Sequence, residues 1–426
     1  MTDTMTALPD SGPAENPGPA PRPQALGAFS LPLGYMLIPD GPGHDAVRAA
    51  LLDGNEPESW PEALRAHALA HSGDVQSALS HLHGEDPVTR FNRFVLDPDG
   101  VDTDALRDEL GEFGVLVDLV LFTIGRRDTA PEVGSGDGEV AAVVLAAQAS
   151  HALSLGDPQA AVELLDRAAD AAAAAAPRLQ GALAGAAGSV CRDIDDPSAQ
   201  QRLERALRLL DGADGLRVSR AELHLTVAGL IHERAQDNPG LIAQAIPHYH
   251  SALQLVLREE APLLWAAAHA NLATAYLTMP MVEASSQLRL GVAAQSLRSA
   301  LKVYTREQHP EQWASVQLNL ANSLVYTPSK HQADNLVEAV ELYEAVLEAR
   351  DRETDPLGRA RVLANQGNAL AHLGVFDQAK AKLYEARFLF EEHHDDDSVR
   401  AVRGVLDEIA RQVTLLRSQP GDGPAS

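Results

Sequence analysis

Through the second half of the chain, apolar residues recur three and four places apart in paired blocks separated by short polar breaks. That spacing predicts amphipathic helices folded back on one another as hairpins. Runs of β-branched and aromatic residues bounded by turn residues are scarce, so no sheet is expected.

The same pattern divides the chain. Residues 1–25 carry Pro9, Pro13, Pro17, Pro19, Pro21 and Pro23 among Gly, Ala and Asp, too few apolar groups to bury, and are expected to form a disordered tail. Residues 26–130 predict a helical region. It holds one clear hairpin, Trp60 to His83, turning at Gly73-Asp74, and a helix capped by Asp102 or Thr103 that runs to Phe113. Residues 131–138, with Gly134-Ser135-Gly136-Asp137-Gly138, read as a linker. Residues 139–395 are expected to supply about six hairpins and residues 396–417 a charged closing helix, with 418–426 a second disordered tail.

The hairpin segment repeats itself. Arg-Glu-x-x-Pro occurs at Arg258, Arg306 and Arg352, giving steps of 48 (258 to 306) and 46 (306 to 352) residues. Asn271, Asn319 and Asn365 fall at the same steps, as do Ala245, Ala293 and Ala339, and Tyr249, Leu297 and Tyr343. Shared intervals at four independent places mark one structural unit used in series. Small residues, Ala273, Ala321 and Gly367 on the first helix and Ala245, Ala293, Ala339 and Ala379 on the second, are expected where helices approach closely. Pro262, Pro310 and Pro356 suit first turns, where a missing N–H costs nothing.

The run Ala364-Asn365-Gln366-Gly367-Asn368-Ala369-Leu370, then Leu373-Gly374-Val375-Phe376, Ala379, Leu383 and Ala386, resembles a tetratricopeptide repeat. His151 to Ala168 resembles it through Leu155-Gly156-Asp157, Ala161, Leu165 and Ala168. The copies beginning at Pro262 and Pro310 look like the longer variant found beside CHAT-type proteases, with extra residues after Pro280 and Pro328; no protease domain is expected within these residues. The resemblance covers residues 139–392 and is weakest between Pro177 and Leu210. It implies an all-α, right-handed superhelical solenoid whose first helices line a concave groove that takes an extended peptide or a partner helix.

Composition narrows the partner. The chain has 34 basic and 60 acidic residues, net −26, without a basic face, so nucleic acid and anionic membranes are repelled and a basic protein partner is favoured. Cys191 stands alone, which suits a reducing cytoplasm and excludes a disulfide framework; in its Ala/Gly-rich helix it reads as a small buried thiol. The apolar run Val115–Ile124 contains Asp118 and is too short to span a membrane.

Within the implied groove, Asn271, Asn319 and Asn365 come from successive first helices, with Thr274, Asn322 and Asn368 one turn further along. An Asn side chain donates and accepts toward a peptide amide, so such a ladder reads backbone rather than side chains. The alternative is that these amides bond to the neighbouring repeat and fix the superhelix. Tyr326, Arg361 and His372 are candidates for side-chain preference. A clamp of several cations for a terminal carboxylate is not evident, because Arg361 is the lone cation of the set.

His67 and His71, four apart on one helix, are the nearest thing to a metal pair, followed by His81, His83 and the run His393-His394-Asp395-Asp396-Asp397; neither group shows a third convergent ligand, and no metal or other cofactor is expected. No phosphate-binding glycine loop, activated nucleophile or calcium loop is legible. The expected role is a non-catalytic scaffold or adaptor. The alternatives are an assembly or maturation factor for a metalloenzyme such as a hydrogenase, using the histidine hairpin, and a regulatory or signalling repeat protein.

Overall fold

The protein is described by a computed structural model at residues 24–25, 29, 33–134, 136–235, 238–279, 283–326, 331–350 and 352–418. The chain divides into two compact units, Met1–Leu216 and Arg217–Ser426.

The first unit opens with a feature the sequence reading did not anticipate. β1 (Gln24–Ala25) pairs antiparallel with β2 (Leu37–Ile38), Gln24 opposite Ile38 and Ala25 opposite Leu37. The expectation of no sheet is corrected to this two-residue ladder, which takes in residues 24–25 of the expected tail; residues 1–23 lie outside the described residues. Two residues per strand are too few to show a period of two, which is why the pattern was silent.

Six short helices follow: α1 (His44–Leu52), α2 (Arg65–His71), α3 (Val75–Leu79), α4 (Pro87–Leu96), α5 (Thr103–Leu110) and α6 (Val115–Thr123). The α2–α3 hairpin turns at Gly73-Asp74, where the Asp74 carboxylate accepts from the Ser77 N–H. Asp102 caps α5 through Ala105 N–H, and a 3-10 turn carries that helix on to Phe113. Two long hairpins complete the unit, α7 (Gly138–Ser154) with α8 (Pro158–Ala172) and α9 (Pro177–Asp193) with α10 (Ala199–Leu209). The glycine-rich segment at 131–138 lies within this unit: Leu116, Val117 and Val120 of α6 share one core cluster with Val140 and Val143 of α7.

The second unit is serial: α11 (Arg217–Arg234) packs on α12 (Ile242–Leu255), α13 (Pro262–Thr278) on α14 (Glu283–Ala300), α15 (Pro310–Tyr326) on α16 (Gln332–Ala349), and α17 (Pro356–His372) on α18 (Phe376–Glu392). α19 (Asp396–Ser418) closes the array against α18. Each hairpin also packs on the next, and first helices touch one another in the series α13, α15, α17, α19. The extra residues after Pro280 and Pro328 fall largely outside the described residues.

Small residues set the helix spacing as expected. Ala245, Ala293, Ala339 and Ala379 on the second helices, and Ala273 and Ala321 on the first, are fully buried. At Gly367 an added Cβ would stand 2.7 Å from Leu383 Cγ, so the crossing of α17 on α18 admits no side chain. The hairpin turns after α7 and α17 use Gly156 and Gly374 at φ 78° and 77°, a left-handed conformation glycine adopts without steric cost. Asp157 and Asp355 then play the same part at different helices, accepting from Ala160 N–H at α8 and from Gly358 N–H at α17.

Among the described residues no helix is long and apolar enough to cross a membrane.

Candidate functional site

The inner strip of the second unit is built from helix register. Pro262, Pro310 and Pro356 begin three first helices, so positions counted from them lie at corresponding heights. α19 joins this register: Asp395 accepts from Ser398 N–H as Asp355 does from Gly358 N–H, a step of 40 residues (355 to 395). Asn368 of α17 therefore corresponds to Glu408 of α19, Ala364 to Gly404 and His372 to Gln412.

The asparagines divide into two kinds. Asn322 Oδ1 accepts from the Tyr343 hydroxyl at 2.7 Å and from Asn365 Nδ2 at 3.0 Å, tying α15 to α16 and to α17 at one atom. Tyr343 is buried, and burial pushes its phenol well above the ordinary range, so it stays a donor. Asn322 and Asn365 are thus engaged in holding first helices in register. Asn319 is half-buried, Asn271 is exposed, and among the described residues neither carries a side-chain hydrogen bond. Thr274 donates to the Ala270 carbonyl at 3.0 Å, within its own helix.

Asn368 and His372 line a 380 Å³ cleft between α17 and α19, where Gly404, Glu408 and Gln412 form the facing wall. Tyr326 is 63% exposed at the end of α15. Arg361 is exposed near the first turn of α17. Asp395 is held below the usual carboxylate range first by the Ser398 hydroxyl and N–H and then by the charge of Arg361.

Sequence reasoning missed Gln366. It stands where Leu272 and Leu320 stand in the preceding copies, is buried, and donates to the Val340 carbonyl (3.2 Å) and to Glu344 Oε2 (2.7 Å). Lys382 Nζ lies 2.9 Å from the same oxygen, and Gln366 and Lys382 together depress the Glu344 carboxyl. A polar residue at a leucine position was the available signal.

The first unit has its own cleft, of 430 Å³, floored by Val143, Ala147 and Ser150 of α7 and walled by Tyr35, Phe122 and Leu183. Counted from the Leu-Gly turns at Leu155 and Leu373, Ala147 and Ser150 occupy the places of Asn365 and Asn368.

His67 and His71 do separate work. His67 is 2% exposed and its Nε2–H donates to the Leu37 carbonyl at 3.1 Å. Asn92 brackets the same residue, accepting from Leu37 N–H (2.7 Å) and donating to its carbonyl (2.8 Å), which pins β2 to α2 and α4. Burial lowers the His67 pKa from 6.5 to about 4, keeping the ring neutral. His71 instead sits 3.5 Å from Glu56 and packs edge-on to Phe29. His248, Tyr249 and His250 diverge as their alternation requires, toward His224 (2.9 Å between Nδ1 atoms), His232 and Tyr276. Burial, then the charges of His248 and Arg220, lowers the His224 pKa to about 4. Among the described residues no group of three or more His, Cys, Asp or Glu is placed to hold a metal ion. Cys191 is fully buried, with Ser198 Oγ 3.8 Å from its sulfur.

Paired helices crossing at small residues and stacked in series make this an all-α helical-hairpin repeat protein. No family profile and no curated protein matches the chain. Solved structures that it resembles include the C-terminal part of a TPR repeat-containing protein from Cytophaga hutchinsonii, at 13% identity and a TM-score of 0.38, covering 72% of this chain and 97% of that one. A Rap protein complexed with competence and sporulation factor has the same identity and TM-score over 83% of this chain and 97% of that one. The TPR domain of P58(IPK) is 15% identical at a TM-score of 0.27, covering 84% and 89%.

Proposed function

We propose that the second unit is a non-catalytic protein-interaction module whose inner strip holds an extended peptide segment of a partner protein. The observation that carries this reading is the in-register set of amides, of which Asn319 has no side-chain hydrogen bond among the described residues and Asn368 faces an open cleft, while Asn322 is bonded to Asn365. A peptide backbone left without partners in a groove costs about 1–3 kcal/mol per unpaired group, and side-chain amides supply both donor and acceptor. The charge of −26 favours a basic partner and opposes nucleic acid and anionic lipid.

A metalloenzyme assembly role would rest on the His67 hairpin, and the burial of His67 against Leu37 gives it no support. No feature of the site favours a signalling role over a general adaptor.

The test is selection of binders from a random 12-residue peptide library on the immobilised full-length chain, followed by anisotropy titration of an enriched peptide. Asn319→Ala with Asn368→Ala should raise Kd at least tenfold and leave Tm unchanged, because neither residue holds another helix. Wild-type protein that enriches no motif, or a double variant that binds as wild type, contradicts the proposal.

A further inference from the structure

Glycine inside a helix costs about 1 kcal/mol relative to alanine, so each such glycine calls for a reason. At Gly181, Gly188 and Gly367 packing provides it: an added Cβ would stand 2.9 Å from Leu210, 2.8 Å from Leu203 and 2.7 Å from Leu383. Gly404, well inside α19, is different, as are Gly229 of α11 and Gly291 of α14: an added Cβ at each would meet nothing within 4 Å. Of these three, Gly404 lines the α17–α19 cleft. Its neighbours in the folded chain do not require the missing side chain, and the space it leaves open belongs to the α19 wall of the cleft between α17 and α19.

That cleft has a chemical asymmetry. Ala371 and Ala401 flank Gly404 with side chains too small to obstruct a main chain lying across them. Asn368 and Gln412 offer amides on opposite walls. Glu408 replaces the neutral Asn368 at the corresponding register position and brings a carboxylate to the rim. That carboxylate is already met by Arg411 at 2.6 Å and by Gln412 Nε2 at 3.2 Å. The Arg411 side chain is 71% exposed, and an ion pair so open to water is worth roughly 0–1 kcal/mol, so an incoming cation can displace it at little cost. An anionic segment would meet both Glu408 and the negative field of the whole chain.

We propose that the α17–α19 cleft is the side-chain-reading subsite of the peptide groove: an extended segment lies with its main chain over Gly404, and a Lys or Arg side chain seats on Glu408. The inference rests on the groove reading above and adds to it a partner chemistry and the residues that select it.

The same 12-residue library, applied to full-length wild type, Gly404→Leu and Glu408→Gln, tests it. Wild type should enrich peptides sharing a Lys or Arg at one fixed place. Gly404→Leu should weaken the selected peptide at least tenfold while Tm stays equal or rises, since leucine is the better helix former and its Cβ meets nothing within 4 Å. Glu408→Gln should still enrich peptides but without the basic residue. Two outcomes overturn the subsite: Gly404→Leu binding as wild type, or Glu408→Gln enriching the same basic residue. If Asn319→Ala, on α15, weakens the peptide while Gly404→Leu does not, the groove stands and only the subsite falls. If neither weakens it, both fall.

Discussion

The inner strips of the first and second units start from one helical-hairpin design and end with different chemistry. In α7 the strip reads Val143, Ala146, Ala147 and Ser150; in α17 the corresponding positions are Arg361, Ala364, Asn365 and Asn368. The first floor is built of Val143, Ala146 and Ala147 beneath Tyr35 and Phe122, with no side-chain amide; its polar side-chain groups are the hydroxyls of Tyr35, Thr123 and Ser150. The second is amide-lined and ends at a carboxylate. Helix-crossing residues set the scaffold, while the residues facing away from the crossings are free to set the ligand.

The units also hold themselves together by different polar devices, which makes the contrast testable. In the first, His67 and Asn92 converge on a single backbone residue inside the core. Its folded pKa of about 4 lies below the 6.5 of an unperturbed ring. Above pH 6.5 both states are neutral and the full stability is present; between 6.5 and 4 the unfolded chain takes a proton that the folded chain refuses, so stability falls as pH falls. The loss from this group is roughly 3 kcal/mol by pH 4. His67→Gln, which keeps a donor for the Leu37 carbonyl, should flatten that part of the urea-unfolding profile. Hydrogen exchange resolved to α2 and α4 is the check, and an unchanged slope would remove the buried neutral ring from the explanation.

A smaller effect belongs to the second unit. Asn322→Ala strips the acceptor from the Tyr343 hydroxyl and from Asn365 at once and should cost about 1–3 kcal/mol. Asn322→Asp, which still accepts from both, should recover most of it. Equal destabilisation by the two variants would mean that these bonds contribute nothing to the register. Smallest is Gly404→Ala, expected to stabilise the chain by about 0.5–1 kcal/mol, because helix propensity improves and no neighbour objects. A loss of stability there would show that the α19 wall of the cleft is packed after all.

Much of this was legible in the sequence. The steps of 48 and 46 residues, the alanines at 245, 293 and 339 and the prolines at 262, 310 and 356 located helices, crossings and first turns, because each is a local or periodic requirement. Asn319 and Asn368 were legible as strip residues for the same reason. Periodicity gave the height of Asn322 and Asn365 but not that one would donate to the other across 43 residues. The fate of His67 was hidden too: four-residue spacing put it beside His71 on one helix, whereas its partner is Leu37, 30 residues upstream in a strand two residues long. Gln366 was overlooked because it breaks the leucine pattern in one copy alone.

The most direct measurement is the structure of the full-length chain bound to a peptide selected from the library. The peptide should run in extended form along α15, α17 and α19, with main-chain groups on the Asn319 and Asn368 amides and a basic side chain at Glu408. A peptide seated in the cleft of the first unit, or on the second helices α16 and α18, would contradict the assignment of the amide strip as the binding surface.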